Sequence, residues 1–227
     1  MKKYALLFAF LATMASAVAQ SIATDDTNVI DMTQFDTNGD GKVKDVEAAL
    51  VIKDLYSIDK TDGITRATII DSIPKTKEQI YIAVNDWIAR SFLNILSDVK
   101  FSDKEAGCII ARGHISDIGN VTTFSNDADI SADIIIRVDI KDGRMRIATS
   151  LQRYTMFEDN SWLGVMLGLS GEKSCNFYAP SKCFPYTDDH KKEGAKAIFN
   201  CHLFCLRLIN KLSDAVINGV NDLGDDW

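Results

Sequence analysis

The sequence predicts an α+β protein built on an antiparallel sheet, preceded by an N-terminal helix-loop-helix segment. Three patterns in the 227 residues support this prediction. Apolar runs of strand length follow one another around short turns, an amphipathic stretch lies before most of them, and a longer amphipathic stretch lies near the end of the chain. The expected order of the main domain is strand, helix, four strands and helix.

Residues 1–19 have the three parts of a secretory signal peptide. Lys2 and Lys3 give a positive start, Ala5–Ala12 is an apolar run, and Ala17-Val-Ala19 is a small-residue cleavage site. Cleavage near Ala19 predicts an exported protein, periplasmic or secreted.

Charge and hydropathy limit the classes of partner that the protein is expected to bind. The formal net charge of −7 becomes −9 when Lys2 and Lys3 leave with the signal peptide. Nucleic acid carries the same sign of charge, so we do not expect it as a partner. After the signal peptide, no run reaches the roughly 18 apolar residues that a membrane span needs. The expected partner is a protein or a small ligand of unknown identity.

Residues 36–47 fit the twelve-residue calcium loop of an EF-hand. Gly41 stands at position six, where the loop turns sharply. Oxygen donors at positions one, three, five, seven and twelve suit a hard cation such as calcium. The predicted ligands are Asp36, Asn38, Asp40, the carbonyl of Lys42 and Glu47.

The calcium segment, residues 20–62, is expected to be structural rather than sensory. Apolar residues at helical spacing predict a helix on each side: Met32 and Phe35 before the loop, and Ala48, Val51 and Ile52 after it. Lys44 stands at position nine, where it cannot bind a cation, and the sequence has no second loop. We therefore expect a dissociation constant of about 0.1 to 1 mM. The alternative is a surface turn, because Asp, Asn and Gly are also common in tight turns.

The main domain is predicted to span residues 63–227 and to begin with a strand over Ile64–Ile70. Thr76-Lys-Glu-Gln79 has the pattern of a capping box, which starts a helix. The apolar face of this helix carries Ile80, Val84 and Trp87, so the helix is expected to lie across the sheet.

Two hairpins should follow that helix. The first joins Val99–Ser102 to Cys108–Ile115, and the second joins Ala132–Ile140 to Arg144–Tyr154 across an Asp-Gly turn. Residues 116–129 and 174–187 are predicted to be irregular. A final helix over about residues 191–220 has one continuous apolar stripe.

The chain resembles, over roughly residues 64–154, the secreted bacterial domain of unknown function that has a TATA-binding-protein-like (TBP-like) fold. The resemblance rests on Ser72–Tyr81, on Trp87, on Ala106–Gly113 and on Lys141–Arg146. It implies a curved antiparallel sheet with helices on one face. It implies no activity, because none is established for the family, and the residues that carry the resemblance set a pattern and are not reactive.

Four of the five cysteines are candidates for disulfides in an exported protein. Cys175 and Cys183 fall in a predicted loop, whereas Cys201 and Cys205 share one face of the final helix. The expected bridges join loop to helix, in either of two pairings. Buried free thiols are the alternative, and Cys108 is expected to be unpaired. A zinc site is a further alternative, and its candidate ligands are Cys183, His190, Cys201 and Cys205, or Asp188, Asp189 and His190.

Catalysis has little support in the sequence. It lacks the known nucleophile, zinc-protease and phosphate-loop motifs. His114 is expected on a sheet face, and His202 is expected on the surface of the final helix. The sequence therefore predicts an exported, non-catalytic binding or structural module. The alternatives are a docking module, because the calcium loop is similar to the first half of a dockerin repeat, and a hydrolase with an unrecognised site in the acidic loops. Asp127 and Asp129 are paired carboxylates in one such loop, where solvated charge is the expected role.

Overall fold

The computed structural model describes residues 30–91, 98–122, 126–160, 166–167, 174–188 and 190–219. The predicted signal peptide, residues 1–19, lies outside these ranges. Within them, an antiparallel sheet of seven strands has the order β1-β2-β6-β5-β4-β3, and β7 pairs with the far half of β6. The strands are β1 Ser57–Ile58, β2 Ile64–Ile70, β3 Asp98–Asp103, β4 Cys108–Thr122, β5 Asn126–Lys141, β6 Arg144–Asn160 and β7 Ser174–Tyr178.

Both predicted hairpins are present, and each turn contains a glycine with positive φ. Gly143 has a φ angle of +72° between β5 and β6, and Gly107 has +67° before β4. A Cβ on Gly107 would also lie 2.6 Å from the carbonyl oxygen of Ile140. Only glycine fits both the backbone conformation and this close approach.

The strands are longer than the sequence predicts. β4 and β5 continue through much of residues 116–129, which were expected to be irregular. Their pairing shifts register between Ile115 and Gly119, where Asp117 has a φ angle of +53°. A bulge takes up the extra residues there, so the ladder resumes after the break. Residues 174–178 were predicted as loop but form β7.

In the described ranges, three α-helices accompany the sheet: α1 Asp45–Ile52, α2 Lys77–Ser91 and α3 Lys191–Asn218. The predicted capping box is present, because Thr76 N–H donates to Gln79 Oε1 at 2.9 Å and Gln79 N–H donates to Thr76 Oγ1 at 3.4 Å. The predicted apolar stripe of α3 is buried and contains Ile198, Cys201, Cys205, Leu208, Leu212 and Ala215. The stripe contacts β4, β5 and β6, so the core lies between α3 and the sheet.

The N-terminal segment packs against α3. Its first arm was predicted as a helix but is a single 3-10 turn, Met32–Phe35, because the cap at Asp31 and the loop at Asp36 leave room for four residues. Phe35 is buried, and its ring centre lies 5.1 Å from that of Phe199. A second 3-10 turn, Lys53–Leu55, follows α1. None of the described helices has the length and apolar character that a membrane crossing requires.

Candidate functional site

The loop predicted to bind calcium winds around the side chain of Asp36. This carboxylate accepts hydrogen bonds from the backbone N–H groups of Gly39 at 2.9 Å and Gly41 at 2.8 Å. Both glycines have positive φ angles, +70° and +77°. Side chains with a Cβ rarely adopt this conformation. The sharp turn expected at Gly41 is therefore present.

The next predicted ligands also bind the loop backbone. Asn38 Oδ1 accepts a hydrogen bond from the N–H of Asp40 at 3.2 Å, and Asp40 Oδ1 accepts one from the N–H of Lys42 at 2.9 Å. These contacts hold the loop in one conformation. Each of these oxygens has a second lone pair, so the contacts leave it able to bind a cation.

Glu47 and Lys44 close the loop. Glu47 Oε2 accepts a hydrogen bond from Thr37 Oγ1 at 2.9 Å, and Lys44 Nζ lies 3.1 Å from Glu47 Oε1 and 3.8 Å from Asp40 Oδ2. The hydrogen bond and charge of Glu47 raise the pKa of Lys44. Among the described residues, no three His, Cys, Asp or Glu side chains form a group that could hold a metal ion. Asp36, Asp40 and Glu47 therefore do not converge on one point in this conformation.

A second candidate site lies on the sheet face opposite α2 and α3, which we call the outer face. In the register of the sheet, His114 pairs with Asp133, and Asp133 pairs with Arg153. Cross-strand partners project from the same face and are neighbours. Arg112 lies two residues before His114 and therefore projects from the same face. We call Arg112, His114, Asp133 and Arg153 the Asp133 cluster.

The carboxylate of Asp133 lies beneath three basic groups. Arg153 donates to its Oδ2 at 2.5 Å, His114 Nδ1 lies 2.9 Å from its Oδ1, and Arg112 lies 3.5 Å from Oδ2. Burial raises the pKa of Asp133, but the hydrogen bonds from His114 and Arg153 outweigh burial and hold it below its ordinary value. The Asp133 side chain is 9% exposed, whereas those of Arg112 and Arg153 are 52% and 47% exposed. The guanidinium groups, not the carboxylate, are therefore exposed to solvent.

A similar arrangement recurs further along β5. Asp139 accepts from Arg137 Nε at 2.8 Å and from the guanidinium of Arg146 at 2.5 Å. Burial raises the pKa of Asp139, and the two arginines lower it further than burial raises it. The Asp139 side chain is 25% exposed, and those of Arg137 and Arg146 are 50% and 53% exposed. We call these three residues the Asp139 cluster.

An aromatic side chain supports the Asp133 cluster from the neighbouring strand. The guanidinium carbon of Arg153 lies 4.9 Å from the ring centre of Phe177 on β7. Phe177 is 61% exposed. Such a cation–π contact restrains the arginine and leaves its charge in solvent. Because β7 was predicted as loop, Phe177 was not expected beside the sheet.

The arginines of both clusters were not predicted as site residues. The sequence indicates such a site only through the alternation of side chains along a strand: Arg112 and His114 are two residues apart on a predicted strand. Alternation shows that two residues share a face but not which residues lie beside them. His114 lies beside Asp133 because of the register in which β4 pairs with β5. A bulge interrupts this pairing, so the register could not be read from the sequence pattern.

The predicted disulfides do not form in the described part of the chain, which contains Cys175, Cys183, Cys201 and Cys205. Cys175 is exposed on β7 and pairs with Phe157 on the outer face, so the sheet separates it from α3. Cys183 packs beside Gly194 at the start of α3. Cys201 lies seven residues further along that helix, about 10 Å away by the helical rise, which exceeds the reach of a disulfide.

Two other predictions about this region are also corrected. His202 was expected on the surface but is 2% exposed. The hydroxyl of Tyr56 lies 2.9 Å and the guanidinium of Arg66 lies 3.3 Å from its Nδ1. The N-terminal segment covers this side of α3, which is why the histidine is buried. For the zinc alternative, no suitable group of ligands occurs in the described part of the chain, from which Asp189 is missing.

Residues 67–155 match the model of a family described as "Domain of unknown function (DUF4468) with TBP-like fold". The predicted resemblance to a domain of unknown function with a TBP-like fold is confirmed for this stretch. The DUF4468 stretch contains most of β2, all of α2 and β3–β5, and most of β6, and therefore holds every residue of the Asp133 and Asp139 clusters. The calcium loop, β7 and α3 lie outside it.

Two solved structures are similar to the chain. A TBP-like protein from Parabacteroides distasonis ATCC 8503 is 17% identical, with a TM-score of 0.47, over 70% of this chain and 95% of that one. A DUF4468 family protein from Bacteroides ovatus ATCC 8483 is 12% identical, with a TM-score of 0.44, over 73% and 92%. No curated protein matches the chain.

Proposed function

We propose that this chain is an exported, non-catalytic binding module that holds an anionic ligand on the outer face of its sheet. The observation that carries this proposal is the Asp133 cluster. Two half-exposed guanidinium groups and one imidazole surround a single buried carboxylate. The exposed part of the cluster is therefore cationic. Carboxylate, sulfate and phosphate groups match guanidinium donors in geometry and charge.

The ionised state of Asp133 favours a binding site over a site for acid catalysis. Its pKa is held below the ordinary value, so the carboxyl stays ionised at neutral pH. An ionised carboxylate cannot donate a proton, but it can fix the orientation of the arginines above it. A site whose donors are held in place before the ligand arrives loses less conformational entropy on binding.

Replacing Arg153 tests this proposal. We expect Arg153→Gln to weaken citrate binding about tenfold, because one charge-assisted hydrogen bond contributes roughly 1.5 kcal/mol. Isothermal titration calorimetry at low salt measures the affinity. The matched control is Arg90→Gln, since Arg90 lies on α2 and pairs with Asp86. Equal citrate affinity in wild type and Arg153→Gln, with both proteins folded by circular dichroism, would overturn the proposal.

We also propose that residues 36–47 bind calcium weakly through Asp36, Asn38, Asp40, the carbonyl of Lys42 and Glu47. The spacing of these residues and the turn around Asp36 support this. Lys44 Nζ lies between Asp40 and Glu47, where its positive charge substitutes for part of a divalent cation. Calcium would have to displace Lys44 and draw Glu47 away from Thr37. That rearrangement is a physical reason for the millimolar affinity expected here.

Calcium should raise the melting temperature of the wild-type protein but not that of Asp36→Ala. A ligand at ten times its dissociation constant stabilises the folded state by about 1.4 kcal/mol. Differential scanning calorimetry with 10 mM calcium or with chelator would measure the shift. Lys44→Ser removes the competing ammonium group and should enlarge the shift in melting temperature. Identical wild-type melting temperatures in calcium and in chelator would contradict calcium binding.

A further inference from the structure

We infer that the Asp133 and Asp139 clusters together bind one extended acidic segment of a partner protein. This inference rests on the proposed anion binding at the Asp133 cluster and extends it to the whole outer face. Asp133 and Asp139 both lie on β5 and are six residues apart. At about 3.3 Å per residue, the two clusters are separated by roughly 20 Å along the strand.

Each cluster presents more positive than negative charge to a partner. In both, two arginines bind one carboxylate, and the arginines are about half exposed while the carboxylate is at most 25% exposed. The overall charge of the chain is negative, so the outer face differs in sign from the protein as a whole at these two positions. Charge complementarity therefore selects an acidic partner for this face.

The surface between the clusters lets a chain approach closely. In one row of the sheet Ala148 lies between Arg137 on β5 and Ala67 on β2, and in the next row Ile135 pairs with Ser150. Alanine side chains are short, so the floor is low in the first of these rows. In the second row stand the side chain of Ile135 and the carboxylate of Asp59, which accepts a hydrogen bond from Ser150 Oγ at 2.8 Å. An extended segment can cross both rows with acidic side chains at each end and uncharged side chains above Ile135 and Asp59.

The spacing favours a protein segment over duplex DNA. An extended segment with acidic residues six positions apart places its charges about 20 Å apart, as the clusters require. A duplex carries a phosphate charge for every 1.7 Å of its axis, roughly. Such continuous charge would also meet Asp129 and Asp71, which are exposed on the same face.

Two synthetic peptides test whether the clusters act together. The long probe has eight residues, with two glutamates at each end and alternating serine and valine between them. The short probe has only one of these glutamate pairs. We expect Arg153→Gln to weaken both probes, and the double change Arg137→Gln with Arg146→Gln to weaken only the long probe, about tenfold, by fluorescence anisotropy. Arg90→Gln should leave both affinities unchanged.

Further variants separate charge from folding. Arg137→Lys with Arg146→Lys keeps the charges beside Asp139 and should retain more of the long-probe affinity than the glutamine pair. If the long probe is insensitive to the glutamine pair while Arg153→Gln still weakens it, the two-cluster inference is overturned and the proposed function stands. If Arg153→Gln weakens neither probe, both are overturned. Tighter binding of a 20-base-pair duplex than of the long probe would also overturn the inference, in favour of nucleic acid.

Discussion

Replacing Asp133 by alanine should lower the free energy of unfolding by about 2 to 3 kcal/mol. Loss of a buried partner leaves the remaining charges uncompensated, which costs roughly 3 to 5 kcal/mol in fully buried pairs. Here Arg112, His114 and Arg153 would face one another without the carboxylate between them. The arginines are about half exposed, so water recovers part of their solvation and reduces the cost. Urea denaturation at pH 7 measures the change.

The matched control is Asp86→Ala on α2. Asp86 pairs with Arg90 at 2.8 Å, but both side chains are about 40% exposed. Exposed pairs at this helical spacing contribute about 0.3 to 0.5 kcal/mol, so the control should change stability little. Equal destabilisation by Asp133→Ala and Asp86→Ala would show that the Asp133 cluster does not hold the outer face together.

The fold could be predicted from local pattern because its elements are regular. The capping box at Thr76, the Asp-Gly turn before Arg144 and the stripe of α3 each follow from residues close together in the chain. The α+β class, the antiparallel sheet and the TBP-like likeness are confirmed. Apart from β7, the errors fall where one element depends on another. The length of β4, for example, depends on a bulge that lets it continue to pair with β5.

The candidate sites differ in the same way: one is made of residues close together in the chain, and the other depends on how strands pair. The proposed calcium ligands lie within twelve residues, so spacing alone was enough to select them. The Asp133 cluster joins three strands, and its members on successive strands are about twenty residues apart in sequence. Sequence alone gives the face of each residue but not its neighbour. His202 was assigned to the surface for a related reason, since its burial depends on Phe35 and Tyr56 from a distant segment.

The environment of His202 fixes its protonation and its tautomer. A guanidinium group can only donate hydrogen bonds, so the approach of Arg66 at 3.3 Å makes Nδ1 an acceptor. Tyr56 then donates its hydroxyl proton to the same nitrogen at 2.9 Å. Burial, and secondarily the positive charge of Arg66, lower the pKa of His202 to about 4. The folded protein therefore holds this histidine neutral, with its proton on Nε2.

This lowered pKa predicts a loss of stability at mildly acidic pH. The unfolded chain binds a proton at His202 near the ordinary pKa of 6.5, whereas the folded protein does so only near 4. Between these pH values unfolding takes up a proton, so each decrease in pH favours the unfolded state. From pH 6.5 down to pH 4, the free energy of unfolding should fall by about 3 kcal/mol from this residue alone.

Comparison with His202→Gln isolates the contribution of the histidine. Glutamine can still accept the hydrogen bond from Tyr56 but does not titrate. Carboxylates such as Asp133, whose pKa is lowered, also lose their stabilising effect as the pH falls, but they do so equally in both proteins. Between pH 7 and pH 4, the unfolding free energy of the wild type should therefore fall by about 3 kcal/mol more than that of the variant. A difference that stays constant across this range would show that His202 titrates in the folded protein near its ordinary pKa, as an exposed histidine does.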